Sequence, residues 1–138
     1  MADELTGTVA LFDDLQTQTG TSYELGLEWQ QSAWEARLLA YQLELEDEIA
    51  FDQTQNFGIG ANINFDPTTR RGGIIDILLR PDTASEVGLN YAYVDAEFDE
   101  GPFKGNRIPL VARHQLNING LYRLNNNLGL YTELLLYS

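Results

Sequence analysis

The sequence contains no cysteine, and it has one histidine and one methionine among 138 residues. Without cysteine it can form neither a disulfide framework nor a thiolate metal site. His114 alone cannot build an imidazole site, because two or three further ligands are needed and none stands at useful spacing; its plain role is to position the start of a strand. No apolar run approaches the roughly 20 residues of a helical membrane span, although a spanning strand needs only about 9 to 11. The opening MADELTGT lacks the basic segment and apolar stretch of a secretory signal. Cations are scarce as well. Met1 to Gly60 sets twelve carboxylates against Arg37 alone, the remainder nine against seven cations, and the formal net charge is −13. Such a chain repels nucleic acid and anionic headgroups, so no nucleic-acid partner is expected. Gly58 and Gly60 in FGIGAN lack the strand-to-helix setting of a phosphate loop. The length allows one domain at most, or part of one.

What is present is alternation. In SYELGLEWQ, Tyr23, Leu25, Leu27 and Trp29 share one side, and Glu24, Gly26, Glu28 and Gln30 the other. A helix would scatter the four large apolar residues around its cylinder, so this is a strand. After the short connection 31–33, Trp34 opens a second run in which Trp34, Ala36 and Leu38 keep one phase and Tyr41, Leu43 and Leu45 the other. The change of phase predicts a β-bulge or a stretch buried on both faces. A helix is the rival over Glu35 to Ala50, given its Glu, Leu and Ala content. The strict alternation after Tyr41 and the Trp29/Trp34 pair across a tight turn favour a strand hairpin. Further strands are predicted over 71–80, 86–97, 111–123 and 128–138. The segment Thr6 to Phe12 reads either as a short strand or as a collapsed tail, so residues 1–20 form a poorly defined N-terminal segment ahead of a β region spanning 21–138.

Connections alternate short and long: 31–33, 46–69, 81–85, 98–109 and 125–127. All four prolines, Pro67, Pro81, Pro102 and Pro109, fall within them, as ladder hydrogen bonding requires. The expected fold is therefore an all-β, antiparallel up-and-down meander of about six to seven strands, with its tight turns at one end and its long loops at the other. That is the plan of a transmembrane β-barrel with a polar lumen and a Leu, Ile and Tyr face toward lipid. A soluble barrel or sandwich with that face inside is the competing reading, since any half-buried sheet alternates in this way.

SYELGLEWQ, the following WEARLLAYQLELEDEIAFD, and GNRIPLVARHQLNINGLYRL resemble the carboxy-terminal half of the barrel of TonB-dependent outer-membrane receptors, which transport siderophores and iron complexes. Ala112 stands where that family usually has proline, and DDLQTQTGT is a degraded match to the family's preceding loop element. The resemblance covers about Thr21 to Ser138. It implies outer-membrane localisation and a non-enzymatic role. Outer-membrane lipid and a ferric siderophore are the implied partners, with the TonB system reached through a plug domain. No plug, TonB box, export signal or terminal aromatic strand end is read in this sequence. The implied whole barrel has 22 strands, whereas six or seven are too few even for the smallest barrels. The chain is thus expected to be a segment, an excised piece, or a protomer that completes its sheet with copies of itself, since open edges invite self-association. The alternatives are a soluble binding module for an apolar ligand and a self-associating β-scaffold without transport activity.

The candidate ligand-binding residues are the cations near the long loops, Arg70, Arg71, Lys104 and Arg107, whose guanidinium and ammonium groups suit an anionic ligand. Pairing with the acidic loops is their ordinary alternative role. No catalytic residue, cofactor or metal site is expected. Glu24, Glu28, Glu35 and Arg37 read as a charge ladder, and Glu44, Glu46, Asp47, Glu48 and Asp52 as a solvated acidic rim that lacks the spacing of a calcium loop.

Overall fold

The computed structural model describes residues 15–54 and 60–138. The expectations for Thr6 to Phe12 and for Gly58 fall outside these. Eight strands form: β1 (Thr19–Gln30), β2 (Trp34–Glu46), β3 (Ile49–Asp52), β4 (Ala61–Asn64), β5 (Thr68–Leu79), β6 (Ser85–Phe98), β7 (His114–Asn125) and β8 (Leu128–Tyr137). Six of them make one antiparallel sheet in the order β1-β2-β5-β6-β7-β8, and β3 and β4 make a separate hairpin. The fold is an all-β meander, as expected. The hairpin falls within the connection 46–69, and the six long strands of 10 to 14 residues all reach the length of a membrane-crossing strand.

Ladder partners share a face, so the register divides the sheet in two. On face A, Leu27, Leu38, Ile75, Tyr91, Leu116 and Leu136 make one continuous row, and Trp29, Ala36, Ile77, Leu89, Ile118 and Leu134 make the row nearer the tight turns. On face B, Glu28, Arg37, Asp76, Asn90 and Asn117 form the corresponding row. No second layer covers face A among the described residues: Leu25 is 74% exposed and Trp29 64%. The Leu and Tyr face is therefore not the inside of a sandwich.

One expectation about local geometry is corrected. The register of β2 runs without interruption against both neighbours, so there is no bulge between Leu38 and Tyr41. The phase changes because the two faces exchange polarity. Toward the long loops face A turns polar, with Gln42, Glu44, Arg71, Thr69, Asp95 and Glu97. Face B turns apolar, with Leu39, Tyr41, Leu43, Leu45, Ile74, Val94, Ala96 and Phe98. The register shift lies instead between Arg123 and Asn125, beside the β7–β8 turn. Tyr131 also lies close to a tight turn, but it pairs with Leu121 and lies on face B, opposite Trp29, Trp34 and Tyr122.

The buried side chains gather where face B turns apolar. Leu45, Ala96, Phe98 and Thr68 are buried there, with Ala61 of the hairpin itself; Thr69 is the buried residue of face A. Glu48 fastens the hairpin down: both of its carboxylate oxygens accept from one Arg70 nitrogen at 2.7 Å, and its carbonyl accepts from the Phe65 N–H at 2.7 Å. Asp47 takes the turn before β3 at φ 56.

At the opposite end the β5–β6 turn is closed by Asp82. Its Oδ1 accepts the N–H groups of Ala84 and Ser85, each at 2.8 Å, and its Oδ2 accepts the Ser85 hydroxyl at 3.0 Å. The Ala84 N–H, then the Ser85 hydroxyl, hold this carboxyl below the usual carboxylate range. A depressed folded-state pKa means the contribution is complete above the unfolded value of about 3.9 and is lost as pH falls through the lower folded value. Asp82→Ala is accordingly expected to lower the thermal midpoint at neutral pH. The gap to the parent protein should close progressively as the parent is acidified below that range, and a gap that stays constant with pH would show that the turn does not depend on the carboxylate.

Candidate ligand pocket at the long-loop end

The two long connections meet above the apolar part of face B. Chain 99–113 folds back beside β6: the Ile108 N–H donates to the Ala96 carbonyl at 2.9 Å, the Phe98 N–H to Asn106 at 3.0 Å, and Arg107 bridges Glu97. Its tip turns at Gly101 and Gly105, with φ of 73° and 77°. Glycine is favoured at Gly101 by its positive φ, and a Cβ there would also press on the Asp66 carboxylate of the neighbouring connection.

Between the two connections lies a cavity of ≈ 370 Å³ lined by Asp52, Ile63, Phe65, Phe98, Phe103 and Arg107, among others. Phe98 sits centrally, edge-on to Phe65 with centroids 5.7 Å apart and tilted against Phe103 at 6.0 Å. An aromatic wall carrying one guanidinium can hold a bulky, partly apolar anion through stacking and charge.

The structure separates the four candidate cations. Arg107 lines this cavity. Lys104 stands in the exposed turn after Phe103, where its N–H donates to the Gly101 carbonyl at 3.3 Å. Arg70 and Arg71 are consecutive strand residues, so alternation sends them to opposite faces. Arg70 turns to Glu48, whereas Arg71 lies on face A and donates to Gln42 at 3.2 Å. The phenylalanines were the part not anticipated. Their signal was available: Phe51, Phe65, Phe98 and Phe103 all fall in or beside the long connections, while tryptophan and most tyrosines occupy the strands.

A second cavity of ≈ 340 Å³ lies on face B toward the tight turns, lined by Glu28, Glu35, Arg37, Asp76, Gly88 and Asn119 among others. The predicted charge ladder is here: Arg37 reaches Glu28 at 3.4 Å, Glu35 pairs with Arg80 at 2.6 Å, and Asn90 donates to Asp76 at 2.5 Å. The acidic rim does not converge. Alternation leaves Glu44 and Glu46 on face A, while Glu48 turns to Arg70.

A sequence model of the family described as "TonB dependent receptor-like, beta-barrel" matches residues 2–137. The chain belongs to that family. TonB-dependent receptors are outer-membrane transporters. Among solved structures the chain is similar to the copper transporter OprC, with 14% identity and a TM-score of 0.70 over 94% of this chain and 19% of that one. The likeness concerns the fold, and the chain spans about a fifth of that transporter's length. No curated protein matches it. The six-stranded sheet is thus an arc of a TonB-dependent receptor barrel.

Barrel membership orients the sheet, because in such barrels short turns face the periplasm and long loops the exterior. Face A is then the lipid side and face B the lumen side. The Trp29–Trp34 pair, with centroids 5.8 Å apart, lies on the lipid side near the tight turns, and Tyr93 lies on the same side toward the loops, as interfacial aromatics do. In a barrel so oriented, the exchange of polarity along β2 is what a strand leaving the bilayer requires, with polar residues outside and apolar ones inside at the loop end.

Proposed function

We propose that this chain forms part of the wall of a non-enzymatic outer-membrane receptor that takes up a ferric siderophore or a similar organic metal complex. The loop-end pocket makes the first contact with that ligand. The observation that carries this reading is the pairing of an uncovered apolar lipid side with an aromatic, arginine-bearing cavity at the outward end of the opposite face. The cavity lining suits an organic complex better than a bare ion. It offers Asp52 and Asp66 but no histidine or cysteine, and no group of three or more His, Cys, Asp or Glu able to hold a metal occurs among the described residues. Arg107 supplies charge complementarity to an anionic complex, and Lys104 follows Phe103 in the exposed turn three residues earlier. Energy from the TonB system would reach this wall only through a plug domain. The free edges of β1 and β8 would pair with neighbouring strands of the barrel.

Two measurements test the reading. In phosphatidylcholine bilayers, Trp29 and Trp34 should be quenched by brominated acyl chains and spared by aqueous quencher. A monodisperse monomer in plain buffer with both tryptophans shielded would instead support the soluble binding module, and a detergent-independent oligomer the scaffold. For the ligand, an iron(III) tris-catecholate and an iron(III) tris-hydroxamate serve as probes, with iron retained by the protein in equilibrium dialysis as readout. Arg107→Ala should weaken binding roughly tenfold, corresponding to about 1.4 kcal/mol for one charge-assisted contact. Absence of binding by either complex, or equal binding by the variant, would remove the siderophore reading and leave the barrel assignment untouched.

A further inference from the structure

The loop-end cavity carries charge of both signs, and the two connections that enclose it divide them. The β3–β4 hairpin and the residues after it contribute Asp52 and Asp66, whereas chain 99–113 contributes Arg107. Asp52 is engaged locally, its Oδ1 accepting the Thr54 N–H and the Thr54 hydroxyl, each at 2.8 Å. Asp66 differs. Its half-buried carboxylate lies against Gly101, and among the described residues it makes neither an ion pair nor a hydrogen bond. Lys104, three residues beyond Gly101, forms no ion pair with it.

The rings beside this carboxylate favour the same kind of group. Phe65 stands at 68° to Phe98, and Phe98 at 46° to Phe103, so the three rings do not stack flat and turn faces as well as edges toward the space between them. The face of a phenyl ring is the negative pole of its quadrupole and attracts a cation. Ring faces and carboxylate therefore both select positive charge, carried on an apolar stem. A purely anionic group entering here would strip water from Asp66 and supply no cation in return. At ≈ 370 Å³ the cavity is at the small end of ligand sites, so it admits a projecting arm rather than a whole metal complex. Arg107, which is exposed, is left for the oxygens around the metal.

We infer that this cavity seats an ammonium-bearing arm of the metal complex, with Asp66 as the residue that selects it. The ammonium head meets the Asp66 carboxylate, its alkyl stem packs on Phe65, Phe98 and Phe103, and Arg107 holds the negative oxygens of the metal-binding part. The inference rests on the siderophore reading above and narrows it to amphoteric complexes. An acidic complex without a cationic arm satisfies Arg107 and leaves Asp66 unanswered.

The test uses the 138-residue chain in phosphatidylcholine bilayers and two probes that differ in one group. One is the iron(III) complex of a linear trihydroxamate ending in a primary amine, and the other is the same complex with that amine acetylated. Iron retained in equilibrium dialysis gives both affinities. The amine complex should bind roughly tenfold more tightly than the acetylated one. Asp66→Asn should abolish that preference and leave the affinity for the acetylated complex unchanged, which also reports that the variant is folded. Arg107→Ala should weaken both complexes by the same factor and so keep the preference. If Asp66→Asn does not fold, the comparison of the two complexes on the parent protein decides. Equal binding of the two complexes by the parent would overturn the ammonium seat and leave the siderophore reading standing. A preference that survives Asp66→Asn would assign it to the acidic loop end at large, and the seat would fail in the same way. Binding of neither complex would overturn both readings together.

Discussion

Ile75→Arg is expected to lower folding stability in a bilayer by about 2–4 kcal/mol, the cost of placing a guanidinium near the middle of the lipid-facing side of a barrel. On β5 the lipid side runs Leu79, Ile77, Ile75, Gly73. Leu79 pairs with Trp34 at one interface and Gly73 with Tyr93 at the other, so Ile75 lies between the girdles. Among the described residues no second layer covers it, and it stays 38% exposed between its ladder partners Leu38 and Tyr91. Three residues along, Leu78 points to the lumen side beside Glu28 and Glu35. Leu78→Arg gains carboxylate neighbours in a hydrated cavity and is expected to change stability by less than about 1 kcal/mol. Equilibrium unfolding of both variants in the same bilayer checks this. Equal losses would mean that the two faces are not in different solvents, and the lipid-side assignment would fail.

The same strand shows how far the sequence could be read. Alternation, proline placement and the rhythm of short and long connections located the six sheet strands to within a few residues, because each is a local signal that sterics and ladder hydrogen bonding write directly into the chain. The face assignments of Leu116, Ile118, Asn117 and Asn119 in β7 follow from the same rule. The phase change at Leu38 to Tyr41 was equally visible but has two physical causes, an inserted residue or a change of surroundings along an unbroken strand. Only the partners of β2 distinguish them, and those are distant in sequence. The β3–β4 hairpin was hidden because it is four residues per strand and is held by Glu48 on Arg70, a contact across 22 positions. The pocket was obscured for a related reason. Its cations were sought as neighbours in sequence, yet Arg70 and Arg71 must part onto opposite faces, and Arg107 meets Phe65 and Phe98 only after two connections fold together.

Gly72→Val is expected to have the larger effect on the sheet itself. Gly72 is the ladder partner of Tyr41 on one side and Val94 on the other, all on face B. The Tyr41 ring lies across the glycine, so that a Cβ would stand 2.6 Å from its hydroxyl oxygen and 2.7 Å from the adjoining ring carbon. The ring could swing away at modest cost, but the third neighbour cannot. The Tyr93 carbonyl oxygen would be 2.3 Å from the same Cβ, and it belongs to the backbone of the adjacent strand. Any side chain at this position must therefore displace β5 from β6 or break the ladder, which exceeds the roughly 1–3 kcal/mol typical of overpacking a core. A loss of more than about 3 kcal/mol is expected. Tyr41→Ala in the Gly72→Val background separates the two causes. If the ring were the main obstacle, removing it would restore most of the stability. Since the carbonyl is the rigid partner, the double variant should remain nearly as unstable as Gly72→Val alone. Gly73→Ala is the milder comparison: its Cβ would meet only the Leu39 carbonyl at 3.3 Å, a contact that a small shift relieves, so its loss should be clearly smaller in the same unfolding experiment.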